Sequence, residues 1–173
     1  HAGLRYSSFQ HSGYISFRDY LKNEITSNDD NYQHIEPRLS FRYRLTPTNS
    51  IKGAYTQNYQ YIHLASTSSV SLPTDLWIPS SSRIEPKFSE QYALGYFKNL
   101  NDNMFQTSIE VYFKEMTNLI EYKEGVLPED NTNSNSENAF TFGNGESYGI
   151  ELFLKKNQGK TTGWIGYTLS KTT

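Results

Sequence analysis

The sequence lacks cysteine, long apolar runs and any marked excess of one charge, and each lack excludes a class of protein. Without cysteine, the 173 residues form no disulfide, no thiolate zinc site and no cysteine nucleophile. No stretch approaches the roughly 18 to 20 apolar residues of a membrane-spanning helix, which excludes a helical membrane protein and leaves a β-barrel open. The formal net charge of −2 is near balance, so the chain lacks the basic footprint of a nucleic-acid-binding protein.

Aromatic residues are abundant by contrast, with 14 tyrosines and 10 phenylalanines. Such enrichment favours strands, carbohydrate-contacting surfaces or the aromatic girdles of membrane proteins. The most informative segment is 38–45, where apolar and polar residues alternate without a break. Leu39, Phe41, Tyr43 and Leu45 share one face of a strand, opposite three arginines and a serine. The apolar face needs a dry neighbour and the polar face needs water, as in a soluble β-sandwich or a membrane barrel.

The same alternation returns along the chain and predicts an all-β fold. It indicates an antiparallel up-and-down meander of about seven strands. Short turns are expected at 46–49, 99–103 and 157–160, where proline, asparagine and glycine occur. The predicted strands are 3–9, 35–45, 51–62, 90–98, 105–114 with a continuation at 119–123 beyond a bend, 147–155 and 163–170.

Long loops are predicted to alternate with these short turns, at 10–34, 63–88 and 124–145. Short turns on one side and long loops on the other are typical of outer-membrane barrels. Strands of about ten residues also match a tilted bilayer crossing. A β-sandwich has shorter strands and no such systematic alternation. The pattern therefore favours a partial transmembrane β-barrel.

Several segments resemble parts of TonB-dependent outer-membrane receptors, and their order and spacing carry the resemblance across nearly the whole chain. They are Pro37–Tyr43, Leu72–Trp77 followed by Gln91–Tyr96, Ser147–Leu152 and Tyr167–Lys171. The resemblance implies a barrel of about twenty-two strands in the outer membrane of a Gram-negative cell. It also implies a plug domain inside the barrel, and transport driven by the TonB complex.

The chain differs from that family in extent, because about seven strands are predicted and neither a plug domain nor a TonB box is visible. We expect residues 1–173 to be a fragment of the later half of the barrel. For the parent protein, the resemblance implies import of a scarce nutrient of the glycan, siderophore or vitamin class. The implied partners are outer-membrane lipid, the plug domain, the TonB complex and a small-molecule or oligosaccharide ligand. A fragment with open edges is expected to self-associate.

Charged residues on the polar faces of the strands are predicted to line the lumen. A charge that faces lipid near the bilayer midplane costs about 2 to 4 kcal/mol, so the inward assignment is strongly preferred. Ordinary lumen polarity explains such residues, and a direct role in passing substrate is the alternative. They are Arg42, Arg44, Lys52, Glu110, Glu151 and Lys155.

The loop 63–88 supplies the candidate ligand-binding residues His63, Asp75, Trp77 and Arg83. A tryptophan can stack on a sugar face, and aspartate or arginine can fix hydroxyls or carboxylates. The alternative is that Trp77 packs against neighbouring loops and orders them. Because His63 begins the loop, we expect it at the surface. No cofactor, metal site or enzymatic activity is predicted, since the histidines form no metal-binding pair and no nucleophile has a nearby base.

Two other functions are compatible with the pattern. In a soluble carbohydrate-binding β-sandwich, Tyr55, Tyr59, Tyr92 and Tyr96 would lie in a core shared by two sheets. A structural adhesin or surface scaffold is the third hypothesis, and it requires loops that bind a protein partner.

Overall fold

The computed structural model describes residues 1–12, 29–65, 76–123 and 140–173, and within those ranges every regular element is a strand. No helix there has the length and apolarity that a membrane crossing requires. The strands are β1 (Ala2–Ser12), β2 (Asp29–Arg44), β3 (Asn49–Gln60), β4 (Ile62–Ala65), β5 (Leu76–Pro79), β6 (Lys87–Leu100), β7 (Phe105–Tyr122), β8 (Phe140–Lys156) and β9 (Gly163–Thr172).

The long strands form one antiparallel sheet of seven strands in the order β1-β2-β3-β6-β7-β8-β9, while β4 and β5 form a separate hairpin. Each long strand pairs with the next long strand along the chain. The sheet is not closed, because β1 and β9 lie at its two edges. The predicted fold class, a meander of about seven strands, is confirmed.

Short turns join the long strands at one end of the sheet, and the longer connections lie at the other. Asn101, Asp102 and Asn103 carry φ angles of 50°, 51° and 67° in the turn between β6 and β7. Gly159, with φ of 109°, occupies the turn between β8 and β9. Asparagine, aspartate and glycine tolerate this left-handed backbone. The positions of these turns could therefore be predicted correctly from the sequence.

The predicted loop boundaries were wrong, because the strands run further than the apolar alternation does. β1 reaches Ser12 and β2 already begins at Asp29, inside the expected loop 10–34. β8 begins at Phe140, inside the expected loop 124–145. The predicted loop 63–88 contains most of the β4–β5 hairpin. Between β1 and β2 the pairing continues mainly through polar residues, from Ser7 opposite His34 to Ser12 opposite Asp29, and these give no two-faced pattern in the sequence.

The predicted continuation of β7 beyond a bend is confirmed. β7 and β8 stay paired up to Tyr122 and Phe140, with a shift of register between Met116 and Leu119. Asn118 lies within this shift and has a φ of 58°. A β-bulge of this kind adds a residue to one strand and bends it without ending the ladder.

One face of the sheet is apolar and open. Its central register row joins β2 to β9 through Phe41, Gly53, Leu94, Val111, Ile150 and Leu169. The large side chains of that row are between 42% and 62% exposed. Within the described residues no second sheet covers this face, and Tyr92 is 48% exposed. The core between two sheets that a β-sandwich requires is therefore not present in the described part of the chain.

The apolar band crosses the strands obliquely. In one register row Asn49, Lys98 and Thr107 are polar, whereas Leu154 and Ile165, in the same row on β8 and β9, are apolar. At the opposite corner the band extends to Tyr6 and Ile35 on β1 and β2, each 63% exposed. A level apolar belt runs across strands in this way when the strands are tilted, as in a barrel wall.

The only buried apolar cluster in the described residues lies at the end of the sheet with the long connections. There the β4–β5 hairpin and Ile84 pack against the ends of β7 and β8. The cluster consists of Ala65, Ile78, Ile84, Tyr122 and Phe140, with Ile120 against it. This packing fixes the hairpin beside the sheet, so the loop end has a core although the sheet itself has none.

Candidate functional site

The opposite face of the sheet carries a row of charged side chains in direct register. Arg42 on β2 pairs with Lys52 on β3, and the row continues through Gly95 on β6 to Glu110 on β7 and Glu151 on β8. We call Arg42, Lys52, Glu110 and Glu151 the charged row. Neighbouring strands lie about 4.8 Å apart, so the row extends over about 19 Å. Two cations stand at one end and two carboxylates at the other.

The charged row is not neutralised within the sheet. Arg42 Nε donates to Ser50 Oγ at 3.3 Å, and Lys52 Nζ lies 3.8 Å from the centre of the Phe97 ring. Ser108 donates to Glu110 Oε1 at 3.1 Å. An ion pair of 3.7 Å joins Arg5 to Glu36, which lie on β1 and β2 outside the charged row. Like charges directly opposite each other destabilise a sheet, so both ends of the charged row favour a partner of opposite charge.

A groove of about 590 Å³ runs along this face and includes the whole charged row in its lining. Its other polar walls come from Ser50, Asn99, Gln106, Ser108 and Thr168. Arg44 and Lys155 lie on the same face as the charged row, two residues along β2 from Arg42 and four residues along β8 from Glu151. All six residues predicted to line the lumen therefore share one face of the sheet. That this face borders a lumen stays a prediction.

The loop candidates do not converge on one point. Asp75 lies outside the described residues. His63 pairs with Ile78, and the neighbouring Leu64 pairs with Trp77, so His63 and Trp77 point to opposite sides of the hairpin. Trp77 is 63% exposed, whereas His63 is fully buried. Arg83 is exposed on the connection after β5.

The expected surface position of His63 was wrong, because the hairpin folds that side chain inward. His63 Nε2 lies 3.0 Å from Ser80 Oγ. Burial, and secondarily the charge of Lys87, lower the pKa of His63 from 6.5 to about 4. The imidazole is therefore neutral near pH 7, and it links β4 to the segment after β5.

A polar cluster that sequence analysis missed lies at the loop end of β1, β2 and β3. Ser7 donates to Glu36 Oε1 at 2.8 Å, and Ser7 Oγ lies 2.6 Å from Tyr61 Oη. Tyr61 Oη lies 3.0 Å from Nδ1 of His34. We call Glu36, Ser7, Tyr61 and His34 the Glu36 relay. Glu36 is fully buried, and Arg5 Nη1 lies 3.7 Å from its second oxygen.

Aromatic rings surround the Glu36 relay. The rings of His34 and Tyr59 stack with centroids 3.7 Å apart, and those of Phe9 and Tyr61 stack at 5.2 Å. These partners come from β1, β2, β3 and the residue that follows β3, and they are far apart in sequence. Sequence periodicity reports only neighbours along one strand, so it could not bring them together.

The described residues place no group of three or more histidine, aspartate or glutamate side chains where they could hold a metal ion.

Comparison with known proteins gives one family. The family model described as TonB dependent receptor-like, beta-barrel, matches residues 1–173. No curated protein matches the chain by sequence.

Two solved structures show a similar fold. The alcaligin outer membrane receptor FauA from Bordetella pertussis superposes with a TM-score of 0.61 over 99% of this chain, at 17% identity. The FpvAI–pyocin S2 complex superposes with a TM-score of 0.55 over 86% of this chain, at 15% identity. The chain spans 27% and 19% of those two chains, respectively.

Proposed function

We propose that this chain, which belongs to the TonB-dependent receptor β-barrel family, forms part of the barrel wall of a receptor that imports a scarce nutrient. One observation carries the proposal: the open sheet has an oblique apolar band on one face and the charged row on the other. Such a sheet separates lipid from water, because its apolar side chains face hydrocarbon and its charges stay hydrated. The location we propose is the outer membrane of a Gram-negative cell.

All 173 residues belong to the barrel in this proposal, and the plug domain comes from another part of the parent protein. The nutrient is of the glycan, siderophore or vitamin class, and the barrel takes part in binding and passage with no enzymatic step. Energy comes from the TonB complex of the inner membrane. Fold alone does not select among these nutrients, because barrel walls of one design serve many ligands.

Ligand contact is assigned to the exposed side chains of the long connections. Trp77 offers an open aromatic face, and Arg83 offers a cation on the same connection. Asp75 precedes Trp77 by two residues and completes the proposed set. His63 would contribute by holding the hairpin in place, because its own side chain is enclosed.

The charged row is assigned to contact with the plug domain. At about 19 Å it is too long for one small ligand to neutralise both ends at once. A folded domain that presents carboxylates to β2 and β3 and cations to β7 and β8 would satisfy Arg42, Lys52, Glu110 and Glu151 together. This arrangement also fixes the angular position of the plug inside the barrel.

Accessibility of engineered cysteines tests the two faces, since this chain has no cysteine of its own. Leu94→Cys on the apolar face should react in membranes only with a lipid-soluble maleimide. Glu151→Cys on the charged face should react with a water-soluble maleimide once the plug is removed. Equal labelling of both positions by the water-soluble reagent would contradict a membrane wall.

Transport is tested with the full-length parent protein in a Gram-negative host. We expect uptake of a labelled ferric siderophore, a cobalamin or an oligosaccharide that disappears when TonB is deleted. The Trp77→Ala variant should lower ligand affinity with no change in barrel stability. Uptake of none of these ligands, or uptake that persists without TonB, would refute the proposed function.

A further inference from the structure

β2 and β3 are paired over only part of their lengths. Their ladder runs from Arg38 opposite Thr56 to Arg44 opposite Ser50. Beyond it, β2 continues to Asp29 paired only with β1, and β3 continues to Gln60 paired only with β6. We call the interval between these two continuations, residues 29–37 and 57–60, the seam.

Pro37 explains why the ladder stops where it does. The backbone N–H and C=O of Ser40 bond to His1, so even-numbered residues of β2 direct their backbone groups toward β1. The N–H of Leu45 bonds to Asn49, so odd-numbered residues direct theirs toward β3. Pro37 is odd-numbered and has no N–H, so it cannot donate to β3. The ladder accordingly ends at the next residue, Arg38.

Side chains close the seam in place of a ladder. Arg38 Nη2 donates to Asn58 Oδ1 at 3.0 Å, and the His34 ring stacks on the Tyr59 ring. The Glu36 relay adds a directed chain, because the single hydroxyl proton of Ser7 goes to Glu36. Tyr61 must therefore donate to Ser7, and Nδ1 of His34 must donate to Tyr61. The relay thus ties both β1 and β2 to the residue that follows β3.

The segment after β5 makes two further contacts across the seam. Tyr32 Oη donates to the carbonyl of Ser81 at 2.7 Å, and the N–H of Ser82 donates to Asp30 Oδ2 at 2.8 Å. The N–H of Ser80 in turn donates to the carbonyl of Tyr61 at 2.7 Å. The loop end of β2 is thereby held to β3 through side chains and through this segment.

We propose that the seam is a latch, at which the loop ends of β1 and β2 swing together away from β3 about Pro37, and that the Glu36 relay holds it shut. The two strands move as a unit because their mutual ladder is unbroken from Ala2 to Ser12. Among the described residues, opening breaks contacts made by side chains and leaves every ladder intact. On the apolar face Tyr6 and Ile35 are each 63% exposed, so packing there does not oppose the swing.

Opening widens the mouth of the barrel wall at the end where the long connections lie. That consequence rests on the proposed function, whereas the movement itself does not. The two are separable, because hydrogen exchange reports the seam without any ligand or transport. If the unmodified receptor took up none of the tested ligands, the proposed function would be refuted. The hydrogen-exchange result at the seam would still stand.

Amide hydrogen exchange of the full-length receptor in micelles, resolved to single residues, tests the latch. Gln33 and Ile35 direct their N–H groups into the seam, whereas Phe41 and Tyr43 direct theirs into the ladder with β3. Within the described residues these two N–H groups have no ladder partner, so we expect them to exchange roughly tenfold faster or more than those of Phe41 and Tyr43, and the latch itself is tested by how variants change that exchange.

Two variants separate the latch from general loosening. Tyr61→Phe removes the hydroxyl of the relay and keeps the ring on Phe9, and it should raise exchange at Gln33 and Ile35 by a further factor of roughly ten. Pro37→Val supplies the missing donor and should slow exchange at both. Tyr43→Phe is the matched control, because it removes a hydroxyl from a side chain that is 65% exposed on the apolar face.

Two results would overturn the proposal. One is protection of Gln33 and Ile35 equal to that of Phe41 in the unmodified receptor. The other is a Tyr61→Phe variant that raises exchange equally at Phe41 and at Ile35, because the relay would then stabilise the whole sheet and not the seam.

Discussion

The ring of Phe41 on β2 lies over Gly53 on β3, in the space that a β-carbon at Gly53 would occupy. The two residues are register partners, and such a β-carbon would overlap the edge of the ring and stand 3.1 Å from Cδ1. On the other face, a β-carbon at Gly149 of β8 would stand 2.8 Å from the carbonyl oxygen of Leu169 and 3.0 Å from Cε1 of its register partner Tyr112. An aromatic ring that covers a glycine on the next strand shields its backbone and fixes the register of the pair.

Gly53→Ala should therefore destabilise the barrel by about 1 to 3 kcal/mol, because the added methyl group displaces the Phe41 ring. The measurement is the free energy of unfolding of the full-length receptor in urea. Gly143→Ala is the matched control, since no atom lies within 4 Å of the β-carbon it would add. Equal stability of the two variants would show that the Phe41 ring moves aside at no cost.

Leu94→Lys should be far more costly than Gln91→Lys. Leu94 is 52% exposed in the centre of the apolar face, and Gln91 lies on the opposite face of the same strand. A lysine at the bilayer midplane costs about 2 to 4 kcal/mol, whereas one on the wet face costs little. The free energy of folding into lipid vesicles distinguishes them. Similar values for the two would place the apolar face away from lipid.

The strands that could be predicted are those with one apolar and one polar face. Alternation at 38–45 identified β2 correctly. The predicted strand began only at Ile35, because the residues before Ile35 pair with β1 through backbone hydrogen bonds and present no apolar face. Turn residues such as Gly159 placed the short connections, since their backbone requirement is local. Local chemistry therefore predicted the sheet and its topology.

The Glu36 relay could not be predicted, because it depends on register between strands. Ser7 and Tyr61 are 54 residues apart in sequence, and no periodicity along one strand relates them. The charged row was found as single residues and not as a row, for the same reason. Pro37 is the one signal in the sequence that could have indicated where β2 and β3 separate.

The β4–β5 hairpin should lose stability in mild acid. Burial lowers the pKa of His63 from 6.5 to about 4 in the folded hairpin. As the pH falls, the imidazole is therefore protonated in the unfolded hairpin before it is protonated in the folded one. Stability is then full above pH 6.5, declines as the pH falls toward 4, and the loss is on the order of 2 kcal/mol. Protease sensitivity of this hairpin at pH 7.5 and pH 4.5 measures it. His63→Gln should remove the difference, and a difference that persists in that variant would assign the effect to another group.

Asn118 should prove necessary for the bulge in β7 for two separable reasons. Its φ of 58° disfavours most side chains, and its amide donates to Glu85 Oε2 at 3.2 Å and to the carbonyl of Pro86 at 3.1 Å. Asn118→Gly keeps the backbone conformation and loses both bonds, for about 1 kcal/mol. Asn118→Ala loses the bonds and adds backbone strain, for about 2 to 3 kcal/mol in total.

Urea unfolding of both variants gives the order, with the native protein most stable and Asn118→Ala least. Gln106→Ala serves as the control, because it removes an exposed amide from the same strand at an ordinary backbone angle. If Asn118→Ala proved as stable as Asn118→Gly, the left-handed backbone would not be a requirement of the bulge. The contacts of the amide with the segment before β6 would then account for the whole effect, and the bend in β7 would depend on that segment.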